Sequence, residues 1–160
     1  MYTIGDHIVH PLHGAGIIER IETKTFGKET VEYYVLKIPV GDMDVLVPKH
    51  ACEAVGIRLP LSKEEADQLY VAIATLQISK AAHWGHRYRE NMIKLKSGDL
   101  LQVAMVLKCL ETRRAISNLA TSEQRMLQMA RQIFLSEMVL SQAVSAEEAE
   151  KRLTAALGAP

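Results

Sequence analysis

The spacing of apolar positions changes period once along the chain. From residue 6 to 58 the apolar segments are short and rich in β-branched and aromatic residues: HIV (7–9), AGIIERIET (15–23), VEYYVLKIP (31–39) and MDVLVP (43–48). Turn signals separate them, namely Pro11 with Gly14, the FGKE turn at 26–29 and VGDM at 40–43. Within the second segment, strict alternation puts Ile17, Glu19 and Ile21 on one side and Ile18, Arg20 and Glu22 on the other. Short, closely spaced strands predict a small antiparallel β-barrel. A segment of this size makes a marginal core alone, so it is expected to lean on a partner or on the rest of the chain.

From residue 62 the period becomes helical. Ser62 with Glu65 reads as a capping box, and Ala66, Leu69, Tyr70, Ile73 and Leu76 follow at helical spacing. A second helix is predicted over about 84–96, ending at SGD (97–99), where Gly98 suits a left-handed stop and Asp99 can cap a third helix to about 117. A fourth begins near Thr121, with Gln124 completing a capping box, and its Met126, Leu127, Met129, Ile133, Phe134, Met138 and Leu140 are expected to supply much of the core. Ser145 with Glu148 opens a last helix ending near Gly158. The fold class is therefore α+β in two domains, 1–60 and 61–160, the second an all-α bundle of about five helices, with the boundary at RLPLS (58–62).

Charge adds a local feature to a neutral chain. Residues 1–60 carry 6 Lys/Arg against 8 Asp/Glu, whereas residues 80–115 carry 8 against 3. That excess suits a limited patch touching a few phosphates and is too small to coat nucleic acid by charge alone. The N-terminus MYTIGD lacks a signal-peptide pattern and no apolar run is long enough to span a membrane, so a cytoplasmic protein without membrane contact is expected. Cys52 and Cys109, far apart in sequence, fit free thiols in a reducing compartment.

His7, His10 and His13 invite a metal reading, but on a strand His7 and His10 face opposite sides, and no nearby cysteine or carboxylate pair completes a tetrahedral set. Turn-building by His13 and Gly14 is the simpler account, and no metal or cofactor is expected. His50 and Cys52 would share a strand face as base and thiol, yet no third group or oxyanion donor accompanies them, so no enzyme is expected. Cys109 and the methionines read as core. Trp84, the single tryptophan, sits near a helix start with His86, Arg87, Tyr88 and Arg89 after it. It is either a packing anchor or a flat wedge against a base step, ringed by Lys80, Arg87, Arg89, Lys94 and Lys96.

Taken in order, GDHIVHPLHGAGIIERIE, EYYVLKIPVGDMDVLVP, HWGHRYRENMIKLKSGD and TSEQRMLQMARQIFLSEM resemble the CarD/CdnL family of bacterial transcription regulators, whose first module is shared with transcription-repair coupling factor. The resemblance spans essentially the whole chain. It implies a Tudor-like β-module that binds the RNA polymerase β subunit, and a helical module that contacts promoter DNA at the upstream edge of the transcription bubble without sequence specificity. It implies no catalysis and a location on the nucleoid through polymerase. The family's minor-groove tryptophan matches Trp84, and its basic neighbours match Arg87 and Arg89, with Lys94 further along; the position of His86 is often arginine. A polymerase-contacting basic position matches Lys24, while a second, often arginine, falls at Leu46. The alternative is an adaptor that binds polymerase but uses its helical half to recruit another protein. A monomer is expected, with a domain-swapped dimer weakly allowed by open strand edges.

Overall fold

The computed structural model describes residues 1–77 and 84–158, with the backbone but not the side chains of 84–86. Four strands, β1 (His7–His10), β2 (Gly14–Phe26), β3 (Glu29–Ile38) and β4 (Met43–Pro48), form a curled antiparallel half-barrel in the order β1-β2-β3-β4. A 3-10 turn (Lys49–Ala51) and a short helix α1 (Cys52–Val55) follow. Then come α2 (Lys63–Ala74), α3 (Trp84–Leu95), α4 (Leu100–Ile116), α5 (Thr121–Gln142) and α6 (Ala146–Leu157). No helix among the described residues is long and apolar enough to cross a membrane.

The predicted alternation of β2 breaks at one point. The register steps from Ile18↔Leu36 to Arg20↔Val35, so Glu19 is an extra, bulged residue. A bulge flips the parity of everything after it. Ile21 consequently opposes Tyr34, on the inner face with Ile18, and not Ile17's side as simple alternation expects. Arg20, Glu22, Lys24 and Phe26 are sent to the outer face. The small inner core is Ile8, Ile18, Tyr34, Leu36, Ile38 and Val47. Tyr34 Oη donates to the Tyr2 carbonyl at 3.0 Å, which satisfies a buried hydroxyl and ties down the N-terminus.

The helical half has a larger core, with Leu100, Val103, Val106, Leu107 and Leu110 of α4 packed on Met126, Leu127, Ile133, Phe134 and Met138 of α5. The helix signals act at the expected places: Ser62 Oγ accepts from the Glu65 amide at 3.1 Å, Asp99 caps α4, Ser145 caps α6 and Gly98 takes φ +80°. Ser62→Ala is expected to cost about 0.5–2 kcal/mol, read as a lower urea midpoint at unchanged slope. Two details differ. The N-cap of α5 is Ala120, so the reciprocal carboxylate is Glu123, which accepts from the Ala120 amide at 3.1 Å, while Gln124 donates to the Leu119 carbonyl. Met129 is 40% exposed instead of core, because its helix face meets the sheet only from Gln132 onward.

That meeting supplies the support the small β-core lacks. Ser136 Oγ accepts from the Ala15 amide at 2.9 Å, and Gln132 donates to the Val40 carbonyl. Arg58, at the end of the β-half, pairs with Glu137 of α5, which is fully buried. One long helix thus serves both cores, apolar toward α4 and polar toward the sheet.

Candidate nucleic-acid interface

Helix α3 carries the candidate DNA contacts, and its own sequence decides how it sits. Asn91 and Leu95, four apart, are buried, which seats one stripe of the helix on α4. Asn91 Nδ2 lies 3.7 Å from Cys109 Sγ, and Arg87 Nη1, one turn earlier, lies 3.3 Å from the same sulfur. Cys109 is buried as expected, but beyond filling space it accepts a donor from each of two residues of α3. Arg87 is accordingly half-buried, while Arg89 is exposed. Two residues apart on a helix means about 200° of rotation, so the two arginines serve different sides.

Arg89, Ile93 and Lys96 recur at helical spacing and are all exposed, Ile93 to 66%. They form a stripe of cation, aliphatic and cation on the face away from α4. Lys94 is half-buried, beside that stripe. Lys80 lies outside the described residues, as do the side chains of Trp84 and His86; the backbone places Trp84 at the first position of α3. The sequence reading passed over Ile93, Asn91 and Cys109 as parts of this site. An isoleucine flanked by basic residues at i−4 and i+3 was the available signal.

The outer face of the sheet holds the other candidates. Arg20, Val35 and Leu46 are consecutive cross-strand partners from β2 through β3 to β4. Lys24 lies four residues further along β2, on the same face, opposite Val31. The bulge is what brings Lys24 and Leu46 to one side, about 13 Å apart along the strand direction. The neighbouring cations are occupied: Arg20 with Glu22 at 2.9 Å and Lys37 with Asp42 at 2.7 Å. Lys24 is exposed, and among the described residues no carboxylate reaches it within ion-pair distance. Leu46, 37% exposed, sits on an outermost strand.

β2 and β3 are both interior. The edges are β1 and β4. On β1, Val9 exchanges backbone hydrogen bonds with Arg58 at 2.8 and 3.2 Å, which occupies part of that edge. Among the described residues no strand or isolated bridge pairs the outer side of β4.

The remaining chemical candidates resolve locally. The His10 and His13 rings lie 4.5 Å apart, and His10 Nδ1 accepts from the Leu12 amide at 3.1 Å, so one ring nitrogen is used in building the turn. Burial, with His13 adding to it, lowers the His10 pKa to about 4 and keeps its imidazole neutral. His50 and Cys52 do not share a strand face, because the chain leaves the sheet at Pro48: His50 lies in the 3-10 turn and Cys52 opens α1. Burial pushes the Cys52 thiol up, away from the thiolate a nucleophile needs.

Comparison with known proteins covers both halves. A family model described as CarD-like/TRCF RID domain matches residues 2–60, and one described as CarD, C-terminal domain matches residues 68–154. The chain is 30% identical over 148 residues to the "Putative transcription factor YdeB" of Bacillus subtilis (strain 168), an alignment that spans 92% of this chain and 97% of that protein.

Proposed function

The chain belongs to the CarD/CdnL family of transcription regulators, and from that premise we propose that it binds the RNA polymerase β subunit through its sheet and stabilises the promoter open complex through α3. The observation that carries the DNA half of this reading is the exposed Arg89–Ile93–Lys96 stripe on the helix that Trp84 opens. Cations of that kind hold phosphates without reading sequence, and an apolar ring can wedge a minor-groove step. Unstacking costs a few kcal/mol per step in intact duplex and less at a melted edge, so a wedge at Trp84 prefers the fork.

On the polymerase side, the reading uses Lys24 and Leu46 on one face and the β4 edge beside them. A strand of the partner can add to an open edge through backbone hydrogen bonds, while the face supplies side-chain specificity. Leucine in place of a basic residue at position 46 shifts that contact toward apolar complementarity and leaves Lys24 as its unpaired cation. By gripping polymerase and the fork together, the protein favours the open state over the closed one, and the population follows.

The test is a split of functions. Lys24→Glu is expected to lose polymerase binding; Trp84→Ala is expected to bind polymerase normally and to lose the gain in open-complex lifetime. Arg89→Ala should lower DNA affinity on all sequences and reduce the slope of log K against log salt by about 1. The exposure of Ile93 also suits a protein partner, so the helical half as an adaptor is the second reading. DNA affinity untouched by both Trp84→Ala and Arg89→Ala would favour it.

A further inference from the structure

Resting on that reading of the two halves, we propose that Arg58 is the positioning residue that holds the sheet and α3 at a fixed spacing, so that the protein acts on the bubble as a rigid bracket.

Arg58 is joined to the sheet through its backbone and to the helices through its side chain. Its amide and carbonyl both pair with Val9 of β1, so its main chain moves with the sheet. Its guanidinium spends four of the five N–H donors of an arginine: Nη1 and Nη2 on the two Glu137 oxygens at 2.8 and 2.7 Å, Nε on the Gly98 carbonyl at 3.0 Å and Nη1 on the Leu59 carbonyl at 3.1 Å. Glu137, on α5, also accepts from the Leu61 amide at 2.9 Å. Gly98 lies in the turn between α3 and α4, three residues past the end of α3. One residue therefore links β1 through its main chain and, through its guanidinium, the connection to the helices, the central helix and the turn after the candidate DNA helix.

The chemistry suits orientation more than cohesion. A buried ion pair gains little over apolar packing of the same volume, whereas a rigid fork accepts only one arrangement of its partners. Two sites joined by a loose tether help each other only through effective concentration, and the help falls when the geometry between them is unspecified. A fixed spacing lets α3 reach DNA at one distance from the polymerase contact and no other. The Ala15–Ser136 and Gln132–Val40 contacts add to the seat, but neither touches α3 or the turn after it.

The experiment uses the full chain with Arg58→Met paired with Glu137→Met, which leaves no buried charge unpaired, and separately Arg58→Lys, whose ammonium cannot span Glu137 and Gly98 as a fork. Residual dipolar couplings measure the relative orientation of the halves; polymerase binding, DNA binding and open-complex lifetime are measured alongside. Wild-type couplings are expected to fit one alignment tensor across both halves, and each variant to need two. Polymerase and DNA binding should each be retained while the lifetime gain falls by about tenfold. A variant whose halves stay on one tensor overturns the proposal, and so does one that loses the common tensor yet keeps the full lifetime gain. If the paired variant does not fold, Arg58→Lys decides by the same criteria. A wild type without any lifetime gain sinks the functional reading, while the couplings still decide whether Arg58 sets the spacing.

Discussion

Glu137→Ala is expected to destabilise the chain by about 2–4 kcal/mol, somewhat less than breaking a fully buried ion pair from one side, because the Arg58 side chain left behind is 30% exposed. The carboxylate is fully buried and accepts three hydrogen bonds, two from Arg58 and one from the Leu61 amide. Alanine leaves the guanidinium without its bidentate partner, the Leu61 amide without an acceptor, and a cavity in the volume between sheet and helices. Against a total of about 5–15 kcal/mol for a typical domain, that is a large share. Removing both charges together with Arg58→Met and Glu137→Met is expected to cost less than Glu137→Ala, since no charge is left unpaired and only the Leu61 amide and the Gly98 and Leu59 carbonyls lose a partner. Urea unfolding of the single and paired variants measures both. A Glu137→Ala loss below about 1 kcal/mol, the size of an exposed pair, would contradict the structural account.

Gly14→Ala is expected to be comparably damaging, for a steric reason. Gly14 has φ +110°, and a Cβ built on it would lie 2.1 Å from Ser136 Oγ, 3.1 Å from Ser136 Cβ and 3.3 Å from the Gln132 carbonyl oxygen. Strain of about 1–3 kcal/mol for the backbone adds to about 1–3 kcal/mol for overpacking. Ser136 cannot swing away without leaving the Ala15 amide it accepts from, so α5 must back off the sheet. Gly27→Ala is the control: φ is +62° with nothing within 4 Å of its Cβ, leaving only left-handed strain of about 1–2 kcal/mol. Thermal or urea unfolding should rank Gly14→Ala well below Gly27→Ala; equal losses would mean that the sheet–helix contact is looser than the geometry shows.

What the sequence made legible is what is local. The change of period near residue 60, the Ser62, Asp99 and Ser145 caps and the Gly98 stop each depend on residues within about one helical turn, and each is seen in the structure. The bulge at Glu19 was not legible, because IIERI reads as alternating whether or not one residue is skipped, and only the pairing with Val35 settles the parity. Met129 misled for a related reason: helical spacing marks a face but not where along the helix a neighbour covers it. His50 and Cys52 looked like alternate strand residues until the chain turned at Pro48.

The candidate site was legible in part. Charge density found α3, but the division between half-buried Arg87 and exposed Arg89 follows from Cys109 and Asn91, one of them on another helix. The Arg58–Glu137 pair spans 79 residues, beyond any local pattern. A signal existed nonetheless, for Glu137 stands inside the apolar run IFLSEMVL, where a carboxylate needs a partner.

The central claim is that the protein distinguishes open from closed promoter DNA on polymerase. The most direct measurement is its affinity for polymerase bound to a promoter with a pre-melted bubble, compared with polymerase held closed on the fully paired sequence. The account predicts tighter binding to the bubble by about 5–150-fold, the range of a coupling of about 1–3 kcal/mol, with the difference abolished in Trp84→Ala. Equal affinity of the wild-type protein for the two complexes would contradict it.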